Sequence, residues 1–572
     1  MQNEKRIVVL KFGSSVLRNE NDLPAAVHEI YRWWRDGFQV VAVVSALGNT
    51  TDELNRRAHV ACDQPNDELV AALLATGEAA SSALMGLALN RSGIPATVLD
   101  AEQAGLTTDG SVLDANLTSV DTARVLKALR DGVVVLPGFV GRDRSGKTTL
   151  LGRGGSDSTA LFLAQRLGAA CRLIKDVDGL YTSDPNARSG TSVARFVRVS
   201  YATAARVGGA VVQLKAIDFA ERHRLRFTVS SVGSSRATDV GPHADSIALS
   251  DAQLKPLRVA LLGCGTVGGG VYQRLAALPE IFDVAGVGAR NVEHAIRADV
   301  PVRLITTRLE ELITERVDVV IELLGGEDPA RTLISKALRL GSHVVTANKA
   351  LLAKDLATLQ TLAANGGTTI RYSAAIGGVM PALETVSRAR SVAPLRSISG
   401  VLNGTTNFIL DQLASGFDFA EAISVAQKNG YAERDPQADL SGTDIEQKLI
   451  LLAHAAFDIP LSSIQKQGIE NLKPRQIREA KNNGRATRLV AECRREVHGV
   501  VASVFPVELP SDHPLANVSG VENRLIVQFQ NGRTWEVCGR GAGRWPTTEA
   551  VIGDLFDLWR ESAAEIEQEC VA

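Results

Sequence analysis

The segment Val259–Gly268, which reads VALLGCGTVG, restricts the fold of this chain more than any other part of the sequence. A short apolar run leads into the spacing Gly-x-Gly-x-x-Gly, and a helical pattern of Val271, Leu275 and Leu278 follows. This strand–loop–helix unit is typical of dinucleotide binding, because its glycines let the backbone turn tightly and approach a pyrophosphate at the helix N-terminus. Such a motif usually opens a domain, so the residues before Val259 need an explanation of their own.

Composition narrows the class of protein. At 572 residues the chain is too long for one hydrophobic core, and roughly two to four domains are expected. A formal net charge of −2 lacks the basic excess of a nucleic-acid binder. The 6 cysteines have no C-x-x-C spacing, which favours a reducing cytoplasm over a zinc site. We find neither a signal peptide nor an apolar run of the ~18 residues that a membrane span needs, so neither a membrane nor a nucleic acid is expected as a partner.

The first part of the chain, residues 5–229, alternates strand-like and amphipathic helical segments. This alternation predicts a parallel sheet covered by helices on both faces. Residues 233–256 are rich in Ser, Gly, Asp and Pro and predict a linker, after which a second unit starts at Leu257. The predicted strands of the first part are residues 6–12, 38–47, 132–140, 171–177 and 226–232, and residues 23–37 are a predicted helix.

Three segments of the first part indicate phosphate chemistry. In LKFGSSV (10–16), a strand ends near Lys11 and a turn follows, whose N–H groups could hold phosphate oxygens; an ordinary turn is the alternative. In LGRGGSDSTALFLAQRLG (151–168), glycines precede a helix start, and Arg153 suits a planar carboxylate. In KDVDGLYTSDPN (175–186), three aspartates surround Tyr181, as in a nucleotide pocket or a solvated loop.

Taken together, these segments resemble the amino-acid kinase family, and specifically the aspartate kinases, over about residues 5–229. GRGGSDSTA and DVDGLYTSDP carry most of the resemblance, and VVSALGNTTDEL (43–54) and ATGEA (75–79) match two further signatures. The resemblance implies a parallel-rich sheet between helices in a kinase domain of residues 1–232. It also implies transfer of the ATP γ-phosphoryl group to the β-carboxylate of L-aspartate, with Mg²⁺.

By the same resemblance, Lys11 stabilises the transferring phosphoryl group. The residues implied to bind aspartate are Ser45, Thr51, Glu78, Arg153 and Asp157, and those implied at the ATP site are Gly13, Asp176, Tyr181 and Asp184. The sequence departs from the family at Ser14 (usually Gly), Lys175 (Thr), Asn186 (Arg) and Val211 (Lys). These departures affect the expected affinity for ATP more than the expected recognition of aspartate. They leave open a non-catalytic binding or assembly module, or glutamate as acceptor, although GRGGSDSTA argues against glutamate.

The second unit continues the dinucleotide pattern. Its second predicted strand, FDVAGVGA (282–289), is followed by Arg290 and Asn291, where an Asp or Glu would bind a ribose 2′-hydroxyl. The missing acid favours NADP(H), with NAD(H) possible. Farther along, Asp444 and Lys448 share one helix face beside an apolar stripe. They predict either a surface ion pair worth under ~1 kcal/mol or a group that binds an ammonium and donates a proton.

The whole of residues 257–560 resembles homoserine dehydrogenase, through GCGTVG, TANKALL (346–352), YSAAIGGVMP (372–381), LNGTTNFIL (402–410), GYAERDPQADLSGTDIEQK (430–448) and GRGAGRWPT (539–547). The resemblance implies interconversion of L-aspartate 4-semialdehyde and L-homoserine with NAD(P)(H). It implies a Rossmann domain (257–370), an α+β catalytic and dimerisation domain (371–538) and a segment (539–572) that returns to the Rossmann domain. The chain thus resembles bifunctional aspartate kinase–homoserine dehydrogenases without ACT domains, for which residues 233–256 leave too little room.

The residue roles that follow from this second resemblance are these. Lys448 donates the proton in the reduction and Lys349 assists at the oxygen, while Glu433, Asp439 and Asp444 bind the substrate amine. The cofactor contacts are Gly263, Gly265, Thr266, Val267, Gly268, Arg290, Asn348, Lys349 and Gly541. A monovalent cation, Na⁺ or K⁺, is implied at the carbonyls of Ser373, Ile376, Gly378 and Met380, and a homodimer is implied as the assembly.

Overall fold

The computed structural model describes residues 6–183, 193–209, 211–248, 255–459, 461 and 464–569. The predicted ATP-site residue Asp184 and the departure Asn186 lie outside the described residues. The chain divides into two compact units. The first comprises Asn3–Leu254 and Phe556–Ala572, and the second comprises Lys255–Leu555.

The first unit contains the predicted parallel sheet. Its strands are β1 (Ile7–Phe12), β2 (Gln39–Val44), β3 (Ala96–Val98), β4 (Thr107–Ser111), β5 (Asp114–Ser119), β6 (Val133–Pro137), β7 (Val140–Arg142), β8 (Thr148–Leu150), β9 (Ala170–Lys175), β10 (Phe196–Val199), β11 (Phe227–Ser231), β12 (Thr238–Val240) and β13 (Ser246–Ile247). Its helices are α1 (Leu23–Arg35), α2 (Thr50–Ala61), α3 (Asp67–Arg91), α4 (Thr122–Asp131), α5 (Gly155–Leu167), α6 (Tyr201–Val207) and α7 (Leu214–Arg222).

Among the described residues, nine strands form the main sheet in the order β13-β10-β12-β11-β9-β1-β2-β6-β3. The central strands are apolar and β-branched, and IVVLKF of β1 is buried except at its first residue, as expected for strands covered on both faces. β1 pairs in parallel with β2 on one side and with β9 on the other. Chain order therefore reverses at β1, and the crevice at the carboxyl ends of β1 and β9 is where an α/β sheet binds ligands.

The predicted linker is shorter than expected. Within residues 233–256, β12 and β13 belong to the main sheet, where β12 pairs with β10 and β11 and β13 pairs with β10. Thr238 explains why a polar segment enters the sheet. Its buried hydroxyl accepts from the Leu180 N–H at 2.8 Å and donates to the Phe196 carbonyl oxygen at 2.5 Å. Polar composition indicated a linker, but these hydrogen bonds satisfy the polar groups inside the fold.

The second unit has these strands: β14 (Leu257–Leu262), β15 (Phe282–Gly288), β16 (Ile305–Thr306), β17 (Val319–Glu322), β18 (His343–Thr346), β19 (Ile370–Arg371), β20 (Leu395–Val401), β21 (Gln465–Lys466), β22 (Arg485–Glu496), β23 (Gly499–Pro510), β24 (Glu522–Phe529) and β25 (Thr534–Arg540). The helices are α8 (Thr266–Ala276), α9 (Val292–Arg297), α10 (Ala330–Arg339), α11 (Lys349–Asn365), α12 (Ser373–Ile376), α13 (Ala382–Val392), α14 (Gly404–Ala414), α15 (Phe419–Lys428), α16 (Gln437–Leu440), α17 (Thr443–Phe457), α18 (Pro474–Asn482) and α19 (Arg544–Glu569), whose last residues group with the first unit.

Two sheets of the second unit confirm its predicted fold class. The described strands of the first sheet run in the order β16-β15-β14-β17-β18-β19, all parallel, which is the 3-2-1-4-5-6 order of a Rossmann fold. The second sheet, β21-β23-β22-β20-β24-β25, is mainly antiparallel. One apolar core includes residues of both sheets and the stripe Ile445, Leu449 and Leu452 of α17, which confirms that this stripe faces the core.

The C-terminal segment was predicted to return to the Rossmann domain as a whole. The start of α19 does contact α8, since the Thr548 hydroxyl donates to the Val267 carbonyl oxygen at 3.4 Å and Arg274 pairs with Glu549 at 3.4 Å. The division into units, however, assigns Phe556–Ala572 to the first unit. The returning segment is therefore shorter than predicted, because a single helix, α19, has residues in both units.

One described helix, α3, is long and apolar enough to cross a membrane by length and composition alone. Its buried side chains Val70, Ala71 and Leu74 belong to the apolar core of the first unit. The same helix also carries the buried carboxyl group of Glu78. These contacts are those of a core helix, which satisfies the same criteria of length and composition as a membrane span.

Candidate active sites

The three glycines of the loop between β14 and α8 have different structural tasks. Gly263 has φ +104°, and a Cβ there would lie 2.6 Å from the Leu323 carbonyl oxygen. A Cβ on Gly268 would lie 1.9 Å from the Gly263 carbonyl oxygen, so helix and strand can pack only if the side chain is absent. A Cβ on Gly265, at the start of α8, would meet nothing within 4 Å. Gly265 thus leaves open space at a helix N-terminus, as a pyrophosphate requires.

β15 is the second strand of the Rossmann fold, and in such folds a residue at the end of this strand binds the cofactor ribose. Arg290 is exposed directly after this strand. Asn291 has a structural role, because its side-chain oxygen accepts from the His294 N–H at 3.3 Å and caps α9. Arg290 is therefore the side chain that remains available to a ligand at this position.

A buried polar group lies at the carboxyl ends of β17 and β18. Glu322 is fully buried, and its carboxylate accepts from the Thr346 hydroxyl at 2.6 Å and from the Leu324 N–H at 2.8 Å. Asn348 donates to the Gly326 carbonyl oxygen at 2.6 Å and caps α11 by accepting from the Leu351 N–H. This network fixes the start of α11 and hence the position of Lys349, its first residue.

Two lysines meet one carboxylate where α11 and α17 face each other. Lys448 Nζ lies 2.7 Å from Asp444 Oδ2, and Lys349 Nζ lies 3.1 Å from Asp444 Oδ1. Lys448 also donates to the Leu402 carbonyl oxygen at 2.7 Å. The Asn403 amide donates to both Asp439 at 2.7 Å and Asp444 at 2.8 Å. We name Lys349, Lys448, Asp444, Asp439 and Asn403 the lysine–aspartate cluster.

Burial and charge set the protonation of this cluster. Burial alone raises the pKa of Asp444, but the ammonium groups of Lys448 and Lys349 outweigh it and bring that pKa well below its usual value. Burial and the neighbouring Asp444 carboxylate raise the pKa of Asp439. One carboxylate thus stays ionised beside two ammonium groups, and a second binds a proton more readily. Side-chain exposures of 7% for Lys448 and 10% for Asp444 overturn the surface-ion-pair alternative.

In the first unit, the carboxyl ends of β1 and β9 bring three charges together. Lys11 Nζ lies 2.8 Å from Asp157 Oδ1, and Lys175 Nζ lies 2.9 Å from Asp157 Oδ2. All three side chains are buried, and Asp157 is in the first turn of α5. A Cβ on Gly13 would lie 2.8 Å from Lys11 Nζ, so the glycine keeps the space over this ammonium group open. Burial raises the pKa of Asp157, but Lys11 and Lys175 lower it further, below its usual value.

A buried carboxyl group lies next to the loop after β2. The Ala46 N–H donates to Glu78 Oε1 at 3.3 Å, while Glu78 Oε2 is buried and has no hydrogen-bond partner among the described residues. Burial raises the pKa of Glu78 to about 7, although the Ala46 hydrogen bond and Lys11 oppose the shift. A buried polar atom without a protein partner is one with which a ligand group or a water molecule can pair.

Both units match known protein families. The family profile of homoserine dehydrogenase matches residues 381–556, and that of its NAD-binding domain matches residues 263–373. The homoserine dehydrogenase of Synechocystis sp. is 34% identical over 316 residues, which cover 53% of this chain and 73% of that protein. The Pseudomonas aeruginosa enzyme is 35% identical over 324 residues, which cover 55% of this chain and 75% of that protein.

The chain belongs to the homoserine dehydrogenase family. A crystal structure of the homoserine dehydrogenase from Thiobacillus denitrificans is also similar, with 34% identity and a TM-score of 0.52 over 54% of this chain and 74% of that one. The amino acid kinase family profile matches residues 6–230. The chain therefore combines an amino-acid kinase domain with the two domains of a homoserine dehydrogenase, as the motifs predicted.

The second unit brings together most of the residues predicted for the substrate. Lys349, Asp439, Asp444 and Lys448 lie in one cluster, whereas Glu433 is exposed on the preceding loop, where its carbonyl oxygen accepts from Gln427 at 3.1 Å. Asn403 is the residue that sequence reasoning missed. It lies in the quoted segment LNGTTNFIL, but nothing local indicates that its amide bridges two carboxylates some 40 residues away.

The predicted cation segment has a glycine-dependent geometry. Gly378 has φ +53°, and a Cβ there would lie 2.9 Å from the Gly541 carbonyl oxygen. The Met380 carbonyl oxygen accepts from the Ala382 N–H at 2.7 Å, and the second lone pair of a carbonyl can still bind an ion. Ser373 binds Asp554 through its N–H at 3.0 Å and its hydroxyl at 2.8 Å. The carbonyls of Ser373, Ile376, Gly378 and Met380 remain a predicted cation site.

The kinase-domain residues fall into two sets. Lys11, Asp157 and Gly13 meet at one point, and Glu78 adjoins the loop that begins at Ser45. Arg153 and Asp176 are exposed, Thr51 lies in the first turn of α2, and Tyr181 donates to Asp178 at 2.6 Å. Lys215, the first lysine after the departure at Val211, donates to Asp114 at 2.6 Å and to the Leu151 carbonyl oxygen at 2.7 Å.

In the part of the chain that the structure describes, no group of three or more His, Cys, Asp or Glu side chains could hold a metal ion.

Proposed function

We propose that the second unit reduces L-aspartate 4-semialdehyde to L-homoserine, and catalyses the reverse reaction, with NADP(H) as the preferred cofactor. Membership of the homoserine dehydrogenase family supports the reaction class. The lysine–aspartate cluster carries the assignment of residues, because it joins the Rossmann helix α11 to the substrate-domain helix α17 through Lys349 and Asp444. A substrate bound there lies between the cofactor domain and a buried ammonium group.

The residues of this cluster have complementary roles. Bound NADPH supplies the hydride. Lys448, held by Asp444 and the Leu402 carbonyl oxygen, donates a proton to the oxygen of the substrate as that oxygen gains negative charge. Lys349 stabilises the same charge. Asp444 stays ionised because two ammonium groups face it, so it can also receive the substrate ammonium group, together with Asp439. Glu433, on its exposed loop, would complete this amine site when substrate is bound.

The preference for NADP(H) rests on the end of β15. Arg290 is an exposed cation where an acidic residue would otherwise bind the ribose 2′-hydroxyl, and Asn291 is engaged as a helix cap. The loop of Gly263, Gly265 and Gly268 fits a dinucleotide, because the open space at Gly265 is the space that the pyrophosphate needs. Thr266, Val267, Asn348 and Gly541 would complete the cofactor contacts.

We propose further that the first unit phosphorylates L-aspartate with MgATP. The observation that carries this is Glu78, whose buried carboxyl oxygen Oε2 has no hydrogen-bond partner among the described residues and would pair with the substrate ammonium group. Arg153, exposed before α5, would bind a substrate carboxylate, together with Ser45 and Thr51. Lys11 would neutralise the transferring phosphoryl group, and Gly13, Asp176, Tyr181 and Asp184 would border the nucleotide.

Hydroxylamine trapping tests this second activity, because an acyl phosphate formed from aspartate is captured as its hydroxamate. We expect the full chain to form aspartyl hydroxamate with MgATP. In Glu78→Gln, the rate of hydroxamate formation should no longer saturate with aspartate concentration. Glu68→Gln is the matched control, since Glu68 lies on the same helix in an exposed pair with Lys147 at 2.6 Å. If hydroxamate forms with glutamate but not with aspartate, glutamate is the phosphoryl acceptor. No hydroxamate at saturating substrates would make the unit a binding or assembly module.

We also propose a homodimer in the cytoplasm, with small molecules as the only ligands. Free thiols support the location, because Cys171, Cys264 and Cys493 are buried and unpaired as disulfides. Sedimentation of the purified chain tests the dimer, and a monomer at micromolar concentration would contradict it.

A further inference from the structure

Lys175 lies at a functional position for which neither the motifs nor the reaction gave it a role. It is the last residue of β9, and β9 pairs in parallel with β1, which carries Lys11. Both lysines thus emerge at the carboxyl ends of neighbouring strands, at the point where strand order reverses. Lys175 Nζ reaches both oxygens of Asp157, at 2.9 and 3.1 Å, while Lys11 Nζ lies 2.8 Å from Oδ1.

The charge at this point is unbalanced. One buried carboxylate needs one cation, but Asp157 faces two ammonium groups, so the buried trio carries a net charge of +1 when both lysines are protonated. The side-chain exposures of 7%, 8% and 3% for Lys11, Lys175 and Asp157 mean that water does little to screen this charge. Glu78 beside Lys11 and the exposed Asp176 are further carboxyl groups near the trio, and while Glu78 is protonated the buried positive charge is stabilised best by a ligand of opposite charge.

Two further features show which charge the site is built for. The trio includes the first turn of the 13-residue helix α5, where backbone N–H groups favour an anion. Gly13 leaves the space over Lys11 Nζ open, because a Cβ would stand only 2.8 Å from that atom. Positive charge is therefore concentrated at one position, which is formed by the N-terminus of α5, the glycine Gly13 and the two lysines.

We propose that Lys175 is a second phosphate-binding lysine, which acts with Lys11 on the phosphoryl group of the nucleotide while Asp157 holds both ammonium groups in place. This inference rests on the proposed kinase function and deepens it. In the transfer, a carboxylate oxygen of the acceptor forms a bond to Pγ as the bond from Pγ to the β–γ bridging oxygen breaks. The bridging oxygen leaves with the electron pair on ADP. No proton moves, so both lysines can stay charged throughout.

A dependence on pH follows from the surroundings of Lys175. Burial first, and then the charge of Lys11, lower the pKa of Lys175 to about 8, while Asp157 and Asp176 oppose the shift. Glu78 faces Lys11 from α3 and has a pKa of about 7, so it is ionised in the window above 8. Phosphate binding favours the protonated lysine. Affinity for MgATP should therefore be highest below pH 8 and should fall as pH rises, by at most about tenfold per unit.

The test is the dissociation constant of MgATP, measured by titration calorimetry on the full chain from neutral to alkaline pH. We expect Lys175→Met to weaken binding by about 10- to 100-fold at neutral pH, as for loss of one hydrogen bond to a charged group. The alkaline loss of affinity should disappear in this variant. Lys175→Arg should keep binding at neutral pH and also remove the alkaline loss, because its guanidinium group stays charged.

A purely structural role for Lys175 predicts a different result. Lys175→Met would then lower the melting temperature without changing the affinity for MgATP or its dependence on pH, and that outcome would overturn the proposal. Circular dichroism and thermal melting of the same preparations control for folding, and if Lys175→Met does not fold, Lys175→Arg and the wild-type pH profile decide. Hydroxamate formation separates the two claims. Lys175-dependent MgATP binding without aspartyl hydroxamate would refute only the acceptor, whereas hydroxamate with unchanged Lys175→Met binding would refute only the role of Lys175. If the wild-type chain binds no MgATP, both fail.

Discussion

The pair Lys448–Asp444 gives the sharpest prediction for the dehydrogenase. Lys448→Met removes the proposed proton donor, which typically lowers turnover by about 10²–10⁴-fold, or about 3–5 kcal/mol. Asp444→Asn should cost a similar amount, because it leaves the buried ammonium group of Lys448 without its carboxylate and facing that of the half-buried Lys349. Their Nζ atoms lie only 2.7 and 3.1 Å from the carboxylate that now separates them. Breaking such a buried pair costs ~3–5 kcal/mol, against under ~1 kcal/mol at a surface.

The double variant should lose much less than the sum of the two single losses. Once Lys448 is gone, the Asp444 carboxylate has no donor to orient, so we expect a coupling energy of about 2 kcal/mol or more in kcat/KM. The assay is homoserine-dependent reduction of NADP⁺, with circular dichroism and thermal melting as fold controls. Glu446→Gln and Lys466→Met form a matched control cycle, since this pair also involves α17 but both side chains are 27% exposed. Coupling under ~0.5 kcal/mol, or a Lys448→Met enzyme close to wild-type turnover, would refute the assignment.

Three further predictions concern the cofactor, the kinase and regulation. Arg290→Ala should raise KM for NADPH more than for NADH, and equal effects would show that Arg290 does not bind the 2′-phosphate. Because burial raises the pKa of Glu78 to about 7 and only its ionised form binds an ammonium group, KM for aspartate should fall as pH rises through that value. Glu78→Gln should flatten this profile, and an unchanged profile would remove Glu78 from the amine site. Threonine, lysine and methionine should inhibit either activity only weakly and competitively, since β13 ends at Ile247 and β14 begins at Leu257, too close for an ACT domain between them; sigmoidal inhibition at sub-millimolar effector would reveal a regulatory site.

Local pattern predicted much of the molecule. The apolar run before Gly263 and the three glycine positions determine a strand, a tight turn and a helix, because each depends on backbone sterics within a few residues. The structure confirms the Rossmann order and places the apolar stripe of α17 in the core. The strand residues 6–12, 38–47 and 171–177 were located to within a few residues for the same reason. Periodicity and glycine spacing are local properties, and the sequence contains them directly.

Composition was less reliable than periodicity where polar residues are buried. Residues 238–240 resemble a linker, but they form β12 because Thr238 has partners from Leu180 and Phe196, which are distant in sequence. The C-terminal segment was likewise assigned to one domain, although α19 contributes residues to two units. Hydrogen-bond partners far along the chain decide whether a polar segment is exposed or buried, and composition does not contain them.

The chemistry of the two sites depends on such distant contacts. The sequence by itself determined that Lys448 and Asp444 share a helix face, since they are four residues apart. Only the tertiary structure decided that Lys349 faces them from another helix and that Asn403 bridges Asp439 and Asp444. It also decided that Lys448 and Asp444 are buried. In the sequence, Lys175 is only a departure from a family pattern. In the structure, β9 places it beside Lys11, more than 160 residues earlier in the chain, and both lysines pair with the Asp157 carboxylate. Burial then turned ordinary ion pairs into strong interactions, because a charge removed from water is stabilised only by the partners that the fold supplies.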